Sequence, residues 1–385
     1  MIRYLTAGES HGPGLTVIVE GFPSNLPVSR EQIDEQLRRR QQGYGRGRRQ
    51  QIESDRVEVT SGIRFGKTLG TPITMHITNR DFTHWTEKMA VWDAPPENLK
   101  QVTRPRPGHA DLAGAIKYDH EDIRDVLERA SARNTATVVA AGALARQLLA
   151  RFGIELTAHV VEIGGVRATC IPSEWDALIQ AADASPVRCA DAEASDRMVA
   201  RIDEAKAKGD TVGGVFEIVV RGCPVGLGSY AHPDRRLDGR LAGALMSIQA
   251  IKGVEIGLGF EAARRFGSQV HDAIAHDGSR YLRPTNGAGG LEGGVTNGEP
   301  IVVRVAMKPI STLYTPLMSV DMKTKQPEPA AVERSDYCAV PAASVVGENV
   351  AAWVVAEAFV EKFGGDSVEQ MEDHVRAYQA RVARR

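Results

Sequence analysis

Cysteine is scarce in this sequence and widely scattered. The four residues, Cys170, Cys189, Cys223 and Cys338, never form a CxxC pair, so neither a zinc site nor a disulfide scaffold is indicated. Reduced thiols in a cytoplasm are the simple reading. An excess of one charge is also missing. A formal net charge of -2 with 25% charged residues leaves no global field to draw nucleic acid or a membrane, so any preference for anions must be local. The N-terminal MIRYLTAGESHG lacks an apolar core of signal-peptide length, and no later apolar run is expected to reach a membrane span, which predicts a soluble, untargeted protein. No Pro/Ser-rich or charged linker divides the 385 residues. One large domain over 1–385, or two fused halves, fits that absence.

What is present is glycine set beside histidine and arginine. The central stretch is Arg104 to Ala136, RPRPGHADLAGAIKYDHEDIRDVLERASARNTA. Pro105 and Pro107 stiffen the backbone, Gly108 permits a tight turn, and His109 is thereby held two residues before Asp111. Arg129, Ser131 and Arg133 precede Asn134, a predicted N-cap for an alanine-rich helix from Thr135 to Phe152 closed by Gly153. Two guanidiniums, a hydroxyl and a positive helix end converge there, which suits a phosphate or a carboxylate.

Ala7 to Gly14 places Ser10 and His11 in a glycine-rich turn before a predicted strand, Leu15 to Gly21. His11 then either faces a ligand or is a surface histidine bonded to its own turn. Adjacent Ser and His rarely make a nucleophile and base, and no GxSxG elbow accompanies them, so a hydrolase is set aside. Ser29 and Gln32 predict a capping box for a helix to about Gln42, with Arg38 and Arg39 as its solvated end and Arg40 in the same turn. GYGRGRR follows, where glycines let Arg46, Arg48 and Arg49 wrap an anion; a short RNA-binding segment is the rival.

Strands are predicted at Val57 to Ile63 and Pro72 to Thr78, joined by a hairpin, and again at Ile154 to Ile163, Val215 to Arg221 and Pro300 to Met307. The irregular 79–101, with Trp85 and Trp92, reads as a lid or an oligomer contact. Asp238 to Ile251 and Ala342 to Phe363 read as core helices. The latter stops at Gly364 and Gly365, and its Lys362 to Gly364 echoes Arg151 to Gly153, a hint of internal duplication. Asn286 to Gly298 is dense in glycine, which suggests close backbone approach to a ligand, with a flexible loop as the alternative. Lys308 to Thr312, KPIST, and Glu333 to Pro341, ERSDYCAVP, add a cation, hydroxyls and Asp336. Together these groups describe chemistry on a phosphorylated, acidic small molecule.

Seven segments, GESHG at Gly8, GYGRG at Gly43, RPRPGHAD at Arg104, RASAR at Arg129, QAIKG at Gln249, KPIST at Lys308 and RSD at Arg334, resemble those of the chorismate synthases, in that family's order. The resemblance implies an α+β protein, a β-α-β sandwich with helices buried between two antiparallel sheets, assembled as a homotetramer. It implies a lyase that converts 5-enolpyruvylshikimate 3-phosphate to chorismate and phosphate by anti 1,4-elimination, with reduced FMN as a catalyst and no net redox change. It assigns His11 as the acid at the departing phosphate, His109 to the flavin, and Asp336 to the proton leaving carbon 6. It places Ser10, Arg40, Arg46 and Arg133 on substrate or NADP, and Arg129, Ala130, Ser131, Gln249, Ala250, Gly293, Lys308, Pro309, Ile310, Ser311, Thr312 and Arg334 in the flavin cradle. No spare domain is left to reduce the flavin, so a separate flavin reductase is expected. An anionic-polymer binder and an ordinary flavin oxidoreductase are the competing classes.

Overall fold

Alternation of apolar and polar side chains near the N-terminus builds the first sheet. In the computed structural model, which describes residues 1–47 and 54–385, strands Arg3–Ala7, Gly14–Glu20, Ile73–Thr78 and Glu58–Ser61 lie in that spatial order, each antiparallel to its neighbour. Leu15, Val17, Val19, Ile73, Met75 and Ile77 are fully buried on one face, as a period of two requires. A second antiparallel sheet has the order Ile251–Ile256, Ile301–Met307, Gly214–Arg221, Glu155–Ile163, Val166–Arg167.

The helices, in chain order among the described residues, are α1 (Arg30–Gln41), α2 (Asp111–Tyr118), α3 (Arg124–Ala130), α4 (Thr135–Arg151), α5 (Trp175–Ala184), α6 (Ala192–Ala207), α7 (Leu237–Met246), α8 (Val340–Phe363) and α9 (Val368–Val382). Helix α4 packs on α8, on α1, and on strands of both sheets, while α8 packs chiefly on the second. Gly142 makes the α4–α8 crossing possible. A Cβ there would lie 2.3 Å from the Asn349 carbonyl oxygen, closer than any side chain tolerates. α8 is long and apolar enough to cross a membrane, contrary to the expectation that no run would be, yet 94% of that stretch is buried within the protein.

Several local expectations are corrected. Ser29 does accept the Gln32 N–H, at 3.2 Å, but its own N–H donates to Gln147 of α4 at 2.7 Å rather than to Gln32, so the cap ties α1 to the core. Asn134 is helical and does not cap α4. Ser131 does the work one turn earlier, accepting from the Arg133 N–H at 3.2 Å. Helix α7 stops at Met246 instead of running to Ile251. Ala250 sits at φ 66°, a left-handed conformation that a helix running to Ile251 could not contain, and Ile251 already begins a strand. The glycine-rich 286–298 packs against protein backbone: a Cβ on Gly257 would meet the Gly287 oxygen at 2.3 Å.

Arg39 is no solvated helix end. Its side chain is 10% exposed and pairs at 3.2 Å with Glu348 of α8, which is 1% exposed and also meets Arg146. Burial opposes the charge on Glu348, but Arg39, Arg146 and Arg188 outweigh it and bring the carboxyl down from 4.5 to about 2. A depressed carboxyl stabilises the fold above its unfolded value and loses that contribution as pH falls through the folded one. Glu348→Gln should therefore cost about 3–5 kcal/mol near neutrality, because it leaves buried guanidiniums uncompensated. In urea titrations the gap between wild type and variant should narrow as pH falls from 4.5 toward about 2. A gap that stays constant over that window rules the explanation out.

Candidate active site

The loops that carry the histidines, arginines and hydroxyls meet around a cavity of about 470 Å³. Its wall includes Ser10, His11, Arg40, Arg46, His109, Ala130, Ser131, Arg133, Gln249, Ala250, Lys308, Ile310, Ser311, Thr312, Arg334 and Asp336. Sixteen of the nineteen residues assigned from the sequence are thus gathered in one place.

His11 is 8% exposed, so the surface-loop alternative does not hold. Its Nδ1 lies 2.7 Å from Glu128 Oε1 and its backbone N–H donates to Oε2 at 2.7 Å. The Trp85 ring lies against the imidazole, centroids 4.0 Å apart. Burial would raise the Glu128 carboxyl, but the hydrogen bonds and charge of His11, with Arg124, bring it below its ordinary value. Ser10 and Ser131 meet through their hydroxyls at 3.1 Å, joining the GESHG turn to the start of α4.

His109 is built on the same plan. Its Nδ1 lies 2.5 Å from Oδ1 of Asp111, which is fully buried and held by Arg106 through Nε at 2.8 Å and Nη2 at 3.0 Å. Against the cost of burial, His109 and Arg106 keep Asp111 well below the usual carboxylate range. Arg106 also donates to Thr312 at 2.9 Å, so the PRPGH turn and the KPIST segment are linked. Lys308 and Ser311 both donate to the Gly108 carbonyl, at 2.8 and 2.9 Å. Burial, then Lys252, lowers the Lys308 ammonium from its ordinary value, an arrangement that an anion would relieve.

The arginines arrive already paired. Arg133 donates at 2.7 Å to both oxygens of Asp55, and Arg40 reaches the same carboxylate at 3.3 Å. All three are buried. Burial pushes the Arg40 guanidinium down to about 10, so it stays charged at neutral pH, and two cations share one carboxylate beside the cavity. Arg46 pairs with Asp336 at 3.0 Å, and Gly47 N–H donates to the other Asp336 oxygen at 2.7 Å. The glycines of GYGRG serve this contact. A Cβ on Gly47 would lie 2.8 Å from the Ser335 carbonyl oxygen. Arg46 therefore turns inward, away from any polymer-binding role. Arg48 and Arg49 lie outside the described residues. Arg334 donates to the buried Asp81 at 2.8 Å.

Three assigned residues do not line the cavity. Arg129 is exposed and staples the N-terminal turn, donating to Thr6 Oγ1 at 2.7 Å and to the Gly8 carbonyl at 3.3 Å. Pro309 is exposed beside Lys308, and Gly293 is exposed in the tight hairpin of strands Leu291–Glu292 and Val295–Thr296. Sequence reasoning missed Glu128, Asp55, Arg106 and Asn79, whose Oδ1 accepts from Arg133 Nε at 2.9 Å; Glu128, with Arg124 at i,i+4, has only the pattern of an exposed helix ion pair.

A cavity of this size, with Arg40, Arg46, Arg106, Arg133, Lys252, Lys308 and Arg334 in its wall and two carboxylate-backed histidines, defines an enzyme site for a small anionic molecule. The comparisons with known proteins narrow this further. The chorismate synthase family model matches residues 2–360. A chorismate synthase of Brevibacillus brevis is 57% identical over 385 residues, covering 98% of this chain and 99% of the relative. Chorismate synthase 1 of Bacillus cereus is 57% identical over 380 residues, covering 97% of each. A solved chorismate synthase crystal structure superposes with a TM-score of 0.80 at 45% identity, over 100% of this chain and 99% of the other. The chain belongs to the chorismate synthase family.

Proposed function

We propose that this cavity converts 5-enolpyruvylshikimate 3-phosphate to chorismate and phosphate by 1,4-elimination, with reduced FMN bound as a catalyst. The observation that carries the reading is the pair of carboxylate-backed histidines, His11 on Glu128 and His109 on Asp111, facing one cation-rich cavity. The residues present fit anionic ligands. Arg46 Nε is buried without a hydrogen-bond partner among the described residues, and Lys308 is held where burial disfavours its charge. Lys308, Ile310, Ser311, Thr312, Gln249, Ala250 and Ser131 would hold the flavin, and His109 would face its charged ring. Reduced flavin, when bound, supplies electron density to the reacting ring and is not consumed.

His11 gives a proton to the phosphate as the carbon–oxygen bond breaks and its electron pair leaves with oxygen. Asp336 takes up the carbon 6 proton at the carboxylate that Arg46 and the Gly47 N–H orient. Arg40, Arg46 and Arg133 offset the negative charge of the substrate. Packing of α4 against strands of both sheets supports reading the fold as a β-α-β sandwich, and the glycines Gly153 and Gly364 at the ends of α4 and α8, with φ 72° and 56°, support an internal duplication. A cytoplasmic homotetramer supplied by a separate flavin reductase completes the reading.

Anaerobic assay with photoreduced FMN, with and without NADPH, tests it. Many turnovers per reduced flavin are expected, whereas one reductant consumed per product would indicate an ordinary oxidoreductase. Asp336→Asn keeps the shape but removes the base, and should slow single turnover by about 100-fold or more. Substrate deuterated at carbon 6 should persist in that variant. Wild-type single-turnover rates there would place the base elsewhere.

A further inference from the structure

We propose that Glu128 is the positioning residue that sets the tautomer of His11, keeping a proton on Nδ1 so that Nε2 is the nitrogen that gives its proton to the departing group. The inference rests on the reading of His11 as the acid at the phosphate.

Glu128 sits on α3 and is 2% exposed. It binds the His11 turn by backbone and side chain together: its carbonyl accepts the Ser10 N–H at 3.1 Å, Oε2 accepts the His11 N–H at 2.7 Å, and Oε1 faces His11 Nδ1 at 2.7 Å. Arg124, one turn earlier on α3, fixes Oε1 at 3.3 Å and reaches Glu333 at 2.8 Å with its other nitrogen. The same guanidinium lies 5.1 Å from the centroid of Trp85, whose ring covers the imidazole. The histidine is thus held in its plane by Glu128 and on its face by Trp85.

An ionised carboxylate only accepts hydrogen bonds. Both oxygens of Glu128 are against donors, so Nδ1 must carry hydrogen and any proton exchanged with a ligand is carried on Nε2. The donation is balanced: the Nε2 proton goes to the phosphate oxygen, the carbon–oxygen electron pair goes with it, and the ring is left neutral with hydrogen on Nδ1.

Glutamine separates positioning from packing. The His11 backbone N–H, 2.7 Å away, is a fixed donor, whereas the Arg124 side chain, 3.3 Å from Oε1 and also bound to Glu333, can shift; the amide oxygen therefore meets the His11 N–H and the amide NH2 turns toward Nδ1. The ring must then accept at Nδ1 and carry its hydrogen on Nε2. It can still donate a hydrogen bond to substrate but is poorly placed to hold two protons, so binding survives while proton transfer fails. An orienting carboxylate changed to its amide has this effect in hydrolase triads, where the wrong tautomer costs up to about 10,000-fold.

The test uses the full-length enzyme with FMN. Nitrogen-15 NMR of labelled histidine, with the His11 signals assigned by their loss in His11→Ala, should show hydrogen on Nδ1 when the ring is neutral in wild type and on Nε2 in Glu128→Gln. Turnover of Glu128→Gln should fall by about 100- to 10,000-fold with KM within about threefold of wild type. Glu128→Asp, still an acceptor only, should keep the wild-type tautomer and restore part of the rate. Hydrogen on Nε2 in wild type overturns the proposal even if no Glu128 variant folds, and so does a Glu128→Gln enzyme with unchanged tautomer and rate while His11→Ala is inactive. An active His11→Ala enzyme overturns instead the acid reading beneath it.

Discussion

Replacing His11 with alanine is expected to slow turnover by about 100- to 10,000-fold, the usual worth of one general acid, while flavin capture survives. The loss should fall on the chemical step, because the ring that gives up the proton is removed and the cradle at Lys308 to Thr312 is not. The variant should fold. Glu128 would keep its bonds from the His11 backbone N–H and from Arg124, so its buried charge would not be stranded. Single-turnover kinetics under anaerobic conditions would measure the effect directly. An alanine enzyme that keeps more than about a third of the wild-type rate, with chemistry shown to be limiting, removes His11 from the acid role.

The second large effect is on stability. Asp55 is 4% exposed and is shared by Arg40 and Arg133, themselves 4% and 6% exposed. Asp55→Ala would leave two buried guanidiniums beside each other without their common counter-ion, and breaking a buried pair in this way typically costs about 3–5 kcal/mol. A polyanionic ligand that binds the folded state near those cations would stabilise it by mass action. Phosphate or the substrate should therefore raise the unfolding midpoint more in Asp55→Ala than in wild type. Denaturant titration with and without phosphate decides the matter, and a loss below about 1 kcal/mol would mean that water already screens the pair. The same geometry reinterprets Arg133. Its removal would unsettle Asp55 and Arg40 as well as substrate contacts, so a binding defect in Arg133→Ala must be read beside its unfolding curve.

Part of the site was plainly visible in the chain. The PRPGH turn places His109 two residues from Asp111, and the structure keeps that pair at 2.5 Å. Ser131 and Lys308 to Thr312 were also legible, because each lies in a short segment whose turn chemistry is local. Glu128 was not. On a helix with Arg124 at i,i+4 it has the pattern of an exposed ion pair, and its real partner, His11, is 117 residues away. Asp336 could be picked out from its segment, whereas its pairing with Arg46 across 290 positions of sequence could not. Crowding of glycines in 286–298 does mark close backbone approach, and the group that Gly287 and Gly289 approach is the turn at Gly257, a partner that no local pattern names.

The sequence by itself determined the elements and the chemical inventory. Periods of two set the buried face of each strand, small and apolar residues marked α4 and α8, and the ordered motifs carried the family. Those signals depend on neighbours a few residues apart, where geometry is fixed by the backbone. Only the tertiary structure decided which charges meet. Arg39 looks like a solvated helix end until α8 brings Glu348 against it, and the cavity arginines look free until Asp55, Asp111 and Asp336 arrive. Burial makes an unpaired charge cost several kcal/mol, so each buried cation must find an anion, and which one it finds depends on chain crossings that no local pattern records.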